Sequence, residues 1–224
     1  MMNSKFSDVV TDLELGPYKG LAIDCSHFRV DEALVIQEIE AMVKEKLPPL
    51  GEEDSPTIND EVVELLEIDG INNLKALEVY IEKHLLNDMV INEIMRIVLD
   101  GVKIIYDEDK IEEQLEPMIK SLEEQAVNQG FTLAFYCDYN GIDSIDGLKE
   151  LYREEIRTSY LEMSVLGEII DREEIVLEEA FFQEALHNNR ASLDPTQAID
   201  EEALYFGLVV KEAVNRLVQW NLKS

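Results

Sequence analysis

Glu184 and His187 are the one pair in this chain whose spacing matches a metal half-site. Carboxylate-bridged di-iron bundles take a Glu-x-x-His from each of two helices and a further Glu from each of two more. Glu184-Ala185-Leu186-His187 supplies that spacing once. Neither of the other two histidines repeats it, because Ile81 stands three residues before His84 and Asp24 three before His27. His187 also falls at a predicted helix end, where a cation is favoured by the helix dipole. Glu184 and His187 are therefore weak metal candidates, and no cofactor is expected. Cys25-Ser26-His27 lacks the four ligands of a structural zinc site, and Cys25 and Cys137 read as small core residues. The chain has no Gly-x-Ser-x-Gly elbow, no Walker loop and no Gly-x-Gly-x-x-Gly turn. Asp138-Tyr139-Asn140-Gly141-Ile142-Asp143 superficially suggests a calcium loop, but Ile142 holds the fifth position and no Glu holds the twelfth. The expectation is a protein that is not an enzyme.

The charge is the outlying property. Asp and Glu number 49 against 19 Lys and Arg, a formal net charge of −30. Such a field repels nucleic acid and anionic membranes and favours a basic partner. Glu exceeds Asp, Lys exceeds Arg and Ile is frequent, which runs against salt adaptation as the cause. Several carboxylates stand four apart on predicted helices: Asp109 with Glu113, Glu112 with Glu116, Glu150 with Glu154, and Glu174 with Glu178. Each such pair costs ~0.2–0.5 kcal/mol in an isolated helix, and its Cβ atoms lie about 5–6 Å apart, similar to phosphates along a nucleic-acid strand.

These features lead to an expected function: a non-enzymatic acidic binding protein that engages, and inhibits or chaperones, a basic partner protein. That partner would be a nuclease toxin, a restriction or defence enzyme, or another DNA-binding protein, met by mimicry of nucleic-acid charge. Immunity proteins, DNA mimics and secretion chaperones share the acidic composition. The partner-binding face is expected at Glu112, Glu113, Glu116, Glu173, Glu174, Glu178 and Glu179. Two other classes stand beside this one: a self-associating helical protein whose acidity serves solubility, and a metal enzyme using Glu184 and His187. Direct nucleic-acid or membrane binding is not expected. Two cysteines and an amino terminus without an apolar run of signal-peptide length fit the cytoplasm.

The elements that would position these residues are mostly helices. Apolar residues at Ile199, Ala203, Phe206, Val210, Ala213, Leu217 and Trp220 mark a final helix over Asp200 to Leu222. Leu204, Leu208, Val209 and Val214 widen that stripe past half the circumference, which predicts a central, buried helix. Helices are predicted over 4–15, from the Asp31 cap to Leu47, over 60–68, and almost continuously from Leu74 to Tyr106. Breaks in that long stretch are expected at Asn87-Asp88 and Asp100-Gly101. Further helices are predicted from Asp107 or Asp109 to Asn128, with Pro117 kinking it or opening a new one, and over 144–170 and 171–188. Asp194-Pro195 opens the last. Residues 20–25 and 131–137 read as short strands that pair as a minor two-stranded ribbon. The fold class is thus mostly α, a multi-helix bundle-like domain over 1–224. A small amino-terminal subdomain over 1–49 would precede a loop at 50–59.

Overall fold

The computed structural model describes residues 9–47, 58–192 and 198–222. Among them are eight helices and one two-stranded antiparallel sheet, so the protein is mostly α with a minor ribbon. In chain order the elements are β1 (Val10–Glu14), α1 (Glu32–Lys46), α2 (Asp60–Glu64), α3 (Leu74–Asp100) and β2 (Lys103–Tyr106). They continue with α4 (Glu108–Asn128), α5 (Leu133–Tyr139), α6 (Ile145–Arg172), α7 (Glu179–Ser192) and α8 (Glu201–Leu222). No helix of the described residues is long and apolar enough to cross a membrane. The chain divides into two compact units, one of residues 1–21 with 96–224 and one of residues 22–95. Residues 48–57, which hold most of the expected loop at 50–59, lie outside the described ones.

In the unit of residues 22–95, α1 is capped by the Asp31 carboxylate, which accepts the Ala33 N–H at 2.9 Å. Val35, Ile39 and Val43, one turn apart on α1, bury against Val63, Leu66, Leu77 and Ile81. Asn73 caps α3 by accepting the Ala76 N–H. Helix α3 runs through Asn87-Asp88 without a break and stops at Asp100, where Gly101 and the strand that follows end it.

In the other unit, β1 and β2 pair with Leu13 opposite Ile104 and Glu14 opposite Lys103. The predicted helix over 4–15 is corrected here: residues 10–14 are a strand, and residues 1–8 lie outside the described ones. A register irregularity between Val10 and Asp12 explains the misreading. An inserted residue shifts strand alternation by one, so apolar residues three apart, Val10 and Leu13, are both half-buried and imitate a helical stripe. The ribbon is therefore made of 10–14 and 103–106. Residues 20–25 form no strand, and 131–137 lie largely in α5. Helix α6 packs against α4, α5 and α8, and α7 against α8. Val9, Ile111, Leu115 and Ile156 form one core cluster, with Tyr106, Tyr152 and Tyr160 packed on it.

Helix α8 is less enclosed than its composition suggests. Only Val209, Ala213, Leu217 and Asn221 are fully buried, one narrow stripe at steps of four. The neighbouring apolar residues are half-buried, which corrects the expectation of a helix buried over most of its girth. Its amino-terminal cap is Asp200, which accepts the Ala203 N–H; Asp194-Pro195 lies outside the described residues. Helix α7 starts at Glu179 rather than 171. Glu174 takes a left-handed φ of 49° and Ile175 N–H bonds back to the Ile170 carbonyl at 3.0 Å, which ends α6.

Candidate functional site

The segment read as a strand, 131–137, together with Tyr139 just beyond it, carries the most exposed group of stacked aromatic rings among the described residues. Gly130, with φ 82°, closes α4, and two residues later Thr132 caps α5, its hydroxyl accepting the Phe135 N–H at 3.2 Å. In the helical conformation Leu133 and Cys137, four apart, fall on one face. Both are buried, with Leu148, against Leu122, Tyr136, Ile142 and Tyr152. The same geometry turns Phe131, Phe135 and Tyr139 to the outside. Phe131 and Phe135 stack with ring centroids 5.0 Å apart and planes at 15°, and Phe135 and Tyr139 at 6.3 Å and 21°. They remain 46%, 48% and 81% solvent-exposed, and Val127, one turn before Phe131, is 63% exposed. These four side chains make a run of exposed apolar surface on this side of α4 and α5. The sequence signal was there in the steps of four, 131, 135 and 139. Aromatic enrichment outweighed it in favour of a strand.

Beside this row lies a cleft of about 340 Å³ lined by Ala134, Cys137, Asp138, Ile142, Asp143 and Ile145, among others. The turn that shapes it is held by the Ile142 N–H on the Cys137 carbonyl at 2.8 Å and by Asn140 Nδ2 on the Tyr136 carbonyl at 2.8 Å. Gly141 supplies the left-handed φ of 70° that the reversal needs. Ser144 then caps α6, accepting the Gly147 N–H. From Ser121 to Leu148 the sequence contains Glu123, Glu124, Asp138, Asp143 and Asp146 and no Lys, Arg or His.

The carboxylates expected to form one partner-binding face are distributed differently. Glu112, Glu113 and Glu116 are on α4, whereas Glu173, Glu174 and Glu178 lie in the α6–α7 connection and Glu179 begins α7. Several are already engaged. Glu112 accepts from Arg153 Nε at 2.5 Å, Glu113 pairs with Lys110 at 2.7 Å, and Glu173 holds Lys19 and the Tyr18 hydroxyl. Arg153 also binds Glu150, and Arg157 bridges Glu108, Glu150 and Glu154. These hydrogen bonds and charges hold the Glu112 carboxyl below its ordinary range and raise Arg153 and Arg157. Arg157, on α6 with Glu150 and Glu154, thus offsets their like-charge spacing from within the helix and reaches across to Glu108 on α4. Glu184 and His187 both stand exposed on α7. Among the described residues no group of three or more His, Cys, Asp or Glu side chains is arranged to hold a metal ion.

No known family profile matches the chain. Curated relatives do. The chain is 30% identical over 191 residues to the trigger factor of Bacillus cytotoxicus, covering 83% of this chain and 43% of that protein. It is 28% identical over 179 residues to the trigger factor of Bacillus mycoides, covering 77% of this chain and 41% of that protein. The chain thus spans about two fifths of the length of the curated relatives it matches. A solved structure of the trigger factor chaperone, described by promiscuous substrate recognition in folding and assembly, aligns over 73% of this chain and 43% of that one. The identity there is 15% and the TM-score 0.41. The sequence relatives overturn the expectation of an acidic nuclease inhibitor, immunity protein or DNA mimic. The relatives matched over most of the chain are trigger factors, and of the seven expected partner-face carboxylates Glu112, Glu113 and Glu173 form ion pairs within the molecule.

Proposed function

We propose that this chain is a non-catalytic polypeptide-holding module of the trigger-factor kind, which binds unfolded or partly folded protein segments at the Phe131–Phe135–Tyr139 row. The observation that carries this reading is the stacked, solvent-facing set of rings made by Phe131, just before α5, and Phe135 and Tyr139 on it, with the opposite face of the helix buried. The likeness to trigger factors supplies the class of activity. Burying a whole Phe side chain is worth ~1.5–3 kcal/mol; Phe131 and Phe135 are about half covered already, and Tyr139 is 81% exposed. The row therefore contributes roughly 3–4 kcal/mol, less than most estimates of the freedom lost on association. Binding at this surface alone is weak and rapidly reversible, as suits a module that holds chains and lets them go. With a formal charge of −30, the molecule favours segments of neutral or positive net charge, which narrows the expected basic partner to a basic, apolar-rich segment.

The test is suppression of aggregation of a chemically unfolded model protein diluted into buffer, with and without this chain in excess. The wild-type chain reduces light scattering. The variant F131A/F135A/Y139A, with unchanged far-ultraviolet circular dichroism, loses most of that effect. Full retention by the triple variant would remove the row from the reading, and no suppression by the wild type would remove the reading itself.

A further inference from the structure

We infer that residues 9–21 are an exchangeable element, and that the groove they fill in one copy of the chain receives the same segment from a second copy. The segment is seated as a bound peptide would be. Val9 is fully buried among Ile111, Leu115 and Ile156, and its carbonyl accepts the Asp107 N–H at 2.8 Å. Residues 10–14 add a strand to 103–106, in which Thr11 Oγ1 donates to the Ile105 carbonyl at 3.1 Å. Glu14 stands opposite Lys103 and pairs with it at 2.9 Å. The backbone of Gly16 then lies against that of Gly101. Further on, the Asn221 amide clasps the main chain from both sides, accepting the Leu21 N–H and donating to the Tyr18 carbonyl. Lys19 rests on the Trp220 ring and binds Glu173, which also accepts the Tyr18 hydroxyl. Main-chain bonds hold an extended segment, and the places for Val9, Tyr18 and Lys19 select this one.

The place of the segment in the chain is what opens it to exchange. The hydrogen bonds and ion pairs that seat it span from 89 residues, Glu14 to Lys103, to 203, Tyr18 to Asn221. Between them lie residues 22–95, a compact unit with a core of its own. Closing so long a loop is entropically costly, and the effective concentration of a tethered end falls steeply with the length of its tether. The same segment on another copy makes the same contacts, so exchange sacrifices none of them and is governed by concentration. Residues 22–30 lead away from the groove. Their hydrogen bonds, Ser26 N–H to the Asp24 carboxylate, Phe28 N–H to the Cys25 carbonyl and Arg29 to the Phe28 carbonyl, all stay within this connection. The pairs Glu14–Lys103 and Lys19–Glu173 are made in either form and cancel. Repulsion between two chains of formal charge −30 opposes only the exchanged form, so screening by salt favours it.

The experiment mixes two full-length chains, one carrying E14C and the other K103C, both at exposed positions. They are unfolded together in urea with reductant, refolded as an equimolar mixture and oxidised, and the disulfides are located by peptide mass spectrometry. Because Glu14 and Lys103 face each other in the ribbon, a bond between the two introduced cysteines marks a ribbon built from two copies. While dimer is the minor species, the ratio of this linked heterodimer to monomer rises about tenfold for an about tenfold rise in protein concentration, and it rises with added sodium chloride. It exceeds the yield from E14C mixed with K83C, whose cysteine lies outside the ribbon and reports random collision. The single chain E14C/K103C, refolded dilute, closes within itself. A heterodimer no more abundant than the K83C control overturns the inference. So does a dimer in light scattering that leaves the E14C and K103C positions unlinked, because the copies would then meet at another surface. Failure of E14C/K103C to close within one chain removes the seating of the segment and the inference with it. Every readout is taken without a client polypeptide, so the holding function stands or falls on its own test.

Discussion

The side chain of Asn221, at the end of α8, accepts the backbone N–H of Leu21 through Oδ1 at 2.7 Å, across 200 residues of sequence. Its Nδ2 donates to the carbonyls of Tyr18 at 3.0 Å and Leu217 at 2.8 Å. Asn221 is 3% exposed, the one fully buried polar side chain among the described residues, and its bonds tie the strap before residue 22 to the last helix. Leaving a buried donor or acceptor unpaired costs ~1–3 kcal/mol. N221A therefore lowers the stability of this unit by about 2–3 kcal/mol, measured by urea unfolding followed through Trp220 fluorescence.

Trp220 reports a second property of the strap. Lys19 Nζ lies 4.2 Å from the centre of its ring and binds Glu173 at 2.5 Å. The Lys19 and Tyr18 hydrogen bonds hold Glu173 below its ordinary 4.5, so the contact stabilises the fold above the unfolded value and is lost as pH falls through the lowered folded one. Trp220 emission should therefore be constant from neutral pH down to about 5 and change only below 4.5. The change should be missing in E173Q. A transition centred at or above pH 5 would show that another group controls the strap.

Glycine substitutions separate close approach from mere helix propensity. A Cβ on Gly16 would lie 2.6 Å from the Gly101 carbonyl oxygen, so G16A should destabilise by roughly 1–3 kcal/mol through forced backbone movement. A Cβ on Gly207, inside α8, meets nothing within 4 Å, so G207A should stabilise by about 1 kcal/mol. Thermal denaturation of the two variants should shift in opposite directions.

Thr132 positions the aromatic row without belonging to it. Removing its cap in T132A costs ~0.5–2 kcal/mol, most of it local to the seven residues of α5. Aromatic-rich peptide affinity should fall while all three rings remain, and T132S should restore it. An unchanged affinity in T132A would mean that packing of Leu133 and Cys137 suffices to hold the helix.

Ser164 Oγ is buried without a hydrogen-bond partner among the described residues. S164A removes that polar atom and should be neutral or stabilising by up to about 1 kcal/mol, read as a raised urea midpoint. A clear loss of stability would mean that the hydroxyl is satisfied in solution.

The helices were legible wherever local chemistry suffices. Asp31, Asn73, Asp107 and Ser144 each precede a 3.6-residue apolar stripe, and each accepts an N–H in the first turn of its helix. Caps and stripes are satisfied within a dozen residues, so the sequence by itself determined a mostly helical protein with these starts. Its charge was equally legible, but its use was not: whether Glu112 is a free carboxylate or the partner of Arg153, 41 residues away, depends on how α4 meets α6.

Tertiary structure alone decided the rest. Residues 10–14 carry spacing compatible with helix or bulged strand, and pairing with 103–106 chose the strand. Residues 131–137 carry aromatic content compatible with a strand, yet burial of Leu133 and Cys137 against Leu148 made them a helix and left the alternate rings outside. In both places local preferences nearly balance, and contacts with residues distant in sequence supply the free energy that separates the outcomes. The aromatic row, where we place function, exists only because that balance fell toward the helix.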